Sequence, residues 1–290
     1  MKGKLYVVAT PIGNTEDITA RARRILAEAD IVAAEDTRTT SILFKILGIR
    51  NKTVSNHKFN EKLKVDYLIS QLEEGKNVAL VSDAGTPCIS DPGGLIVSAA
   101  VKHDIEIVGV CGASSVITAL SVCGFGFDTF SFYGFLPKTS GEIKKIISAA
   151  RKSDIPAAVF FESPKRIKKT LGIFGEEVPD AALCLCNDLT KMYERIYRGT
   201  PKEILEELNE NPQAEKGEYT LVVNPGAAPE ITNDSAISSE AMVVDYIVKN
   251  RCSAKDAVNA LAEKFKGTIT KKELYSASLR VRSLFNEENN

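Results

Sequence analysis

Short apolar runs separated by polar, breaker-rich stretches recur along the chain, and each run is the length of a strand. Residues 78–81 (VALV) are Val-rich with no polar alternation, the pattern of a strand buried on both faces of a parallel sheet. The run stops at Ser82 and Asp83, and Gly85, Pro87, Pro92, Gly93 and Gly94 follow, too many breakers for helix or strand. LIVSAAVKH then reads as a helix, with Asp91 as its N-cap and Pro92 in its first turn. An ordinary connection of this kind takes about 2–6 residues. The extra length marks a loop built to hold something.

The same pattern repeats on both sides. Residues 5–10 (LYVVAT), 31–34, a short stretch near Thr53 and 105–110 (IEIVGV) read as strands. Between them, helical periodicity runs to Ala29 from a cap at Asp17 or Thr19, then over 41–47 and 60–74, with Gly48 and Gly75 as stops. Further on, strands are predicted over 129–133, 157–161, 181–186, 192–197 and 219–225. Helices are predicted over 141–151, after Pro201, and from a Ser163 cap with Pro164 at the first position. Alternating strands and helices predict two α/β domains with mostly parallel sheets flanking a cleft, over residues 1–112 and 113–226. Residues 227–239, rich in Pro, Ala, Asn and Ser, read as a linker. Residues 240–290 read as a small helical module of about three helices, either helix-turn-helix-like or a simple cap on the body.

Composition narrows this picture only slightly. The 290-residue chain is 44% hydrophobic and 26% charged, enough for a substantial core. A net charge of -1 leaves nucleic-acid binding to local basic patches. The six cysteines lack framework spacing, which predicts reduced thiols in a cytoplasmic protein. Cys184 and Cys186 read as core-facing, and with only two histidines no metal site is expected. Neither a signal peptide nor a membrane-spanning run is evident.

Dinucleotide (G-x-G-x-x-G), P-loop and nucleophile-elbow motifs are all missing. What stands at the strand ends instead is TPIGN, EDTR, SDAGTPCISDPG, GASS, ESPKR and NDLTKMYER. Singly these suit turn chemistry: N-capping for Asp91, Ser114 and Ser115, and an Asx-turn for Asp83. Together, at the carboxyl ends of several strands, they predict a ligand crevice.

In order and spacing these motifs resemble the tetrapyrrole-methylase superfamily over nearly the whole chain. SDAGTPxxSDPG matches its ribosomal-RNA-modifying branch, whereas the better-known tetrapyrrole enzymes carry a GDP-type loop there. The resemblance implies S-adenosylmethionine as methyl donor, the 2′-hydroxyl of cytidine 1402 of 16S rRNA in the small ribosomal subunit as acceptor, and a homodimer. It assigns the donor site to Pro11, Ile12, Asp83, Ala84, Gly85, Thr86, Ser114, Ser115, Phe161 and Thr220. A ribose hydroxyl is a poor acid, so the transfer calls for a base or a nearby cation. The candidates are Asp36, Glu162 and Glu194 as base, with Arg38 and Lys191 as orienting cations. RNA contacts are expected from Arg38, Lys165, Arg166, Lys168, Lys169, Lys191 and Arg195, and from Lys264, Lys266, Lys271, Lys272, Arg280 and Arg282 in the helical module.

Overall fold

The structure, a computed structural model, describes residues 1–153, 155–226, 238–265 and 269–286. The chain divides into two compact units, Met1–Ala228 and Pro229–Asn290. The division expected at 112/113 falls inside the first unit, and residues 227–237 of the expected linker lie outside the described residues.

The first unit begins with a parallel sheet in the order β3-β2-β4-β1-β5. Its strands are β1 (Leu5–Val8), β2 (Ile31–Ala34), β3 (Thr53–Ser55), β4 (Val78–Val81) and β5 (Ile107–Val110). Every residue of β2 and β4 is buried, because helices cover both faces. α1 (Ala20–Glu28) and α2 (Thr37–Leu47) build the core on one side around Leu26 and Phe44. α3 (Glu61–Glu73) and α4 (Gly94–Lys102) build the other around Leu68, Leu72 and Ile96. Because all five strands run one way, their carboxyl ends deliver the TPIGN, EDTR, SDAGTP and GASS loops to one edge.

α5 (Ser115–Val122) leaves β5 and packs Val116, Ala119 and Leu120 on a second sheet, against Val159, Cys184, Cys186 and Val222. Both thiols are fully buried there, their sulfurs 3.8 Å apart. This sheet has the order β6-β7-β10-β8-β9: β6 (Phe130–Phe135), β7 (Ala157–Glu162), β8 (Ala182–Asn187), β9 (Arg195–Gly199) and β10 (Tyr219–Asn224). Here the expectation of a mostly parallel sheet needs correction. Only β6 and β7 pair in parallel, and the other three pairings are antiparallel. Residues 188–194 close a hairpin from β8 to β9, too short for a parallel crossover. β10 then enters antiparallel between β7 and β8, which α7 (Ile167–Glu177) had connected in the parallel sense. α6 (Ser140–Lys152), α7 and α8 (Pro201–Glu210) cover the outer face.

Two helix starts also differ from expectation. α4 begins at Gly94 rather than Pro92, because Gly93 sits at φ 126° and ψ -17°, outside helical space. α7 begins at Ile167, after a turn in which the Ser163 carbonyl accepts from the Arg166 and Ile167 N–H groups. The strand expected over 192–197 starts only at Arg195, leaving Met192 and Tyr193 exposed.

The second unit packs α9 (Ser239–Asn250), α10 (Ala254–Lys264) and α11 (Lys271–Asn286) around Val243, Val258, Leu261 and Leu274. Arg280 on α11 is paired with Glu240 on α9, and Lys266 lies outside the described residues.

One buried carboxylate holds the long loop to the helical layer beneath it. Oε1 of Glu61, on α3, accepts from the N–H groups of both Gly93 and Leu95 at 2.9 Å. Glu61→Ala strands these two donors and lowers stability by about 1–3 kcal/mol in urea denaturation. Glu61→Gln, whose amide oxygen still accepts, recovers most of the loss.

Candidate active site

A cleft of about 440 Å³ opens where the carboxyl edge of the first sheet meets the second sheet. That volume is in the range of small-molecule sites. Main-chain hydrogen bonds brace its floor. Thr10 and Gly85 exchange two main-chain hydrogen bonds, of 2.9 and 3.0 Å, which join the loop after β1 to the loop after β4. Gly85 takes φ 76°, and a β-carbon there would lie 3.3 Å from Ile12. The Thr86 hydroxyl donates to the Ala113 carbonyl and ties in the loop after β5, where Ser114 caps α5. The loop after β1 also reaches the second sheet: Asn14 N–H donates to the Thr190 hydroxyl at 3.1 Å.

Ile12, Asp83, Ala84, Gly85, Thr86, Ser114, Ser115, Phe161 and Thr220 all line this cleft, although they come from widely separated stretches of chain. Phe161 and Thr220 are cross-strand partners on β7 and β10. Pro11 stands outside the lining. Of the five residues proposed for chemistry, only Glu162 lines the cleft, and its carboxylate is fully engaged. Oε1 accepts from the Ser163 N–H and from Arg166, and Oε2 accepts from the Thr170 hydroxyl. Arg166 in turn donates to the Leu136 and Pro137 carbonyls, so the pair braces the chain around the end of β6.

The other four are not among the lining residues. Asp36 caps α2 through the Arg38 N–H and forks with the Arg38 guanidinium, whose hydrogen bonds hold its pKa down at about 2. Lys191 bridges Asp188 and Glu218, each at 2.8 Å. Glu194 accepts from the Thr190 N–H and closes the 190–194 turn. In that arrangement Asp36, Lys191 and Glu194 hold neighbouring chain in place, while the Arg38 guanidinium is exposed.

The structure adds residues that the motifs did not single out for the cleft: Glu35, Asp91, Phe135, Leu189 and Glu218 among them. Glu35 directly precedes Asp36 at the end of β2. A cap-forming Asp ahead of TRTTSILF was the available signal that Asp36 belongs to the helix. Asp91 is freed from capping by the conformation of Gly93, which nothing short of the backbone torsion reveals.

Five carboxylates therefore line the cleft (Glu35, Asp83, Asp91, Glu162 and Glu218), and no Lys or Arg is among the lining residues. Burial raises the pKa of Glu35, Asp83 and Asp91 above the ordinary carboxylate range. For Glu35 the neighbouring Asp91, Asp83 and Asp36 charges add to this, while the Asp83 N–H opposes it. Burial, with Glu61 and Asp91 nearby, also pushes the Cys88 thiol up to about 11, so it stays protonated. The cleft suits a ligand with apolar parts, edges that bond to backbone, and a positive charge.

The tetrapyrrole (corrin/porphyrin) methylase family matches residues 4–205. The chain belongs to this family. Among its relatives, the ribosomal RNA small subunit methyltransferase I of Neisseria meningitidis serogroup B is 39% identical over 277 residues, 96% of this chain and 93% of the relative. The enzyme of the same name from Halalkalibacterium halodurans is 42% identical over 222 residues, 77% of this chain and 76% of the relative. The fold resembles uroporphyrin-III C-methyltransferase from Thermus thermophilus complexed with S-adenosylhomocysteine, with a TM-score of 0.52 at 18% identity. That likeness covers 77% of this chain and 97% of the other.

Raised carboxylates give the cleft a pH signature. The folded protein binds these protons more tightly than the unfolded chain, so their contribution to stability is complete below the unfolded pKa and is lost as pH rises through the folded values. Without ligand, Asp91→Asn is therefore more stable than the parent at about pH 7 and equal to it at about pH 3, where Asp91 is already neutral. Thermal melts at the two pH values check this.

Proposed function

We propose that this chain is an S-adenosylmethionine-dependent methyltransferase that acts on small-subunit ribosomal RNA, at the ribose 2′-hydroxyl of cytidine 1402. The observation that carries the reading is the near full-length match, at 39% identity, to a relative named as a small-subunit ribosomal RNA methyltransferase; the ribose position rests on the resemblance of the motifs. The lining supports it independently. A sulfonium carries a positive charge, and a cleft lined by carboxylates without cations favours it over a neutral thioether.

When bound, the donor supplies an electrophilic methyl group and a neutral leaving thioether. The chain's part is to align donor and acceptor, since in-line displacement depends on near-attack geometry. The Thr10–Gly85 pair and the Thr86–Ala113 bond hold the floor in shape before any ligand arrives. Ile12, Val116, Phe161 and Leu189 supply apolar wall for a nucleoside. Phosphates are excluded from this acidic interior and need cations outside it. Lys165, which directly follows the lining Pro164, and Arg38, Lys169 and Arg195 are exposed and suited to that. Arg166 is not, being committed to Glu162.

Incubating the protein and labelled S-adenosylmethionine with small subunits from cells lacking this methylation places label on the ribose of that cytidine. Label elsewhere in the RNA overturns the position, and label only on porphyrin-type acceptors overturns the substrate class. Affinity for the RNA, measured as salt is raised, falls steeply if backbone phosphates are being neutralised.

A further inference from the structure

Five carboxylates line the cleft, and they are not equivalent. Glu162 has both oxygens occupied by Arg166, Thr170 and a main-chain N–H. Glu218 is tied to Lys191. Asp83 accepts from the Asp36 N–H, and the Ser82 hydroxyl bears on Asp91. Asp83, which also accepts a single main-chain bond, is exposed with Arg38 near it, whereas Glu35 is half-buried. Oε2 of Glu35 accepts one bond, from the Asp83 N–H at 3.3 Å, and Glu35 has no cation partner among the described residues. It stands at the end of β2, where the strand fixes its backbone through the Val81 carbonyl. So one oxygen locks the side chain in place and the other is left without a protein donor.

We propose that Glu35 is the catalytic base, taking the proton of the acceptor hydroxyl as the methyl group is transferred. As the oxygen–carbon bond forms and the carbon–sulfur bond breaks, the electron pair stays on sulfur and the Glu35 carboxylate receives the proton. A sulfonium and a carboxylate thus become a thioether and a carboxylic acid, and the proton passes to solvent before the next turnover. Two opposite charges cancel within the cleft, which suits a low-dielectric site.

The surroundings tune the residue for this. Asp83 and Asp91 from the loop after β4 and Asp36 beside it all favour proton uptake, and Arg38 bears on Asp83 rather than on Glu35. On the second sheet, Glu162 and Glu218 are each neutralised by their own cations. A base works best when its proton affinity approaches the working pH, and burial moves Glu35 in that direction. Asp36, held at about 2 by Arg38, is moved the other way.

The inference rests on the RNA methyltransferase reading, and the test separates the two. Glu35→Gln keeps an oxygen to accept from the Asp83 N–H, so the loop stays tied. We expect turnover on small subunits to drop about 100-fold or more, with calorimetric affinity for S-adenosylhomocysteine within about twofold of the parent. The acidic limb of the parent's pH–rate profile should vanish in the variant. In the donor-free parent, NMR titration should follow the Glu35 carboxyl through a pKa matching that limb. A variant with normal turnover, a retained acidic limb, or a product affinity that falls as far as the rate overturns Glu35 as base. A parent that methylates no RNA at all overturns the underlying reading instead.

Discussion

Two reciprocal main-chain hydrogen bonds between Thr10 and Gly85 are the constraint on which the rest of the cleft depends. They join loops that leave neighbouring parallel strands, so neither loop can shift without the other. Gly85 makes the approach possible: at φ 76° a side chain would be strained, and a β-carbon would press on Ile12. Thr86 extends the join to Ala113, and Glu61 anchors the far end of the same loop. A surface held this way keeps its N–H and C=O groups aimed before a ligand binds, so little ordering entropy remains to oppose binding.

Onto this floor the fold sets negative charge and withholds positive charge. Two cations beside the lining are committed elsewhere: Arg166 to Glu162 and two carbonyls, and Lys191 to Asp188 and Glu218. Glu35 and Asp91 are half-buried with Asp83 close by, which costs stability at neutral pH and shows as their raised pKa values. Stability given up at a site of this kind is a common trade for function. A bound cation relieves that repulsion, so the arrangement favours the charged donor and weakens its hold once the charge has gone.

How much of this could be read from the sequence differs from one residue to the next, for identifiable reasons. The loops after β1, β4 and β5 were legible because each follows a buried apolar run and begins with breakers, and parallel strands must bring such loops to one edge. Phe161 and Thr220 rested on resemblance alone, since their meeting depends on the register of β7 against β10. Glu35 and Asp36 are adjacent, and which one faces the cleft is decided by where α2 starts. Asp36 turns away to cap that helix. Asp91 looked like a cap because Pro92 follows it, but the torsion at Gly93 postpones the helix and turns Asp91 into lining. The antiparallel entry of β10 was hidden because its apolar run, YTLVVN, would suit a central strand of either direction.

The two sheets also divide the work according to their topology. A parallel sheet gathers every loop that follows a strand at one edge, and from the first sheet come Gly85 and three of the lining carboxylates. In a largely antiparallel sheet, strand ends and strand starts meet at the same edge, so the second half faces the cleft with neighbouring strands instead. Phe161 and Glu162 at the end of β7 sit opposite Thr220 and Tyr219 at the start of β10. Ladder hydrogen bonds fix those positions, and the Glu162–Arg166 and Lys191–Glu218 pairs stiffen them further. One half thus supplies pre-set polar groups and the other a partly aromatic wall. In-line transfer needs both: a wall that sets the direction of approach, and polar groups whose charge changes as the bond is made.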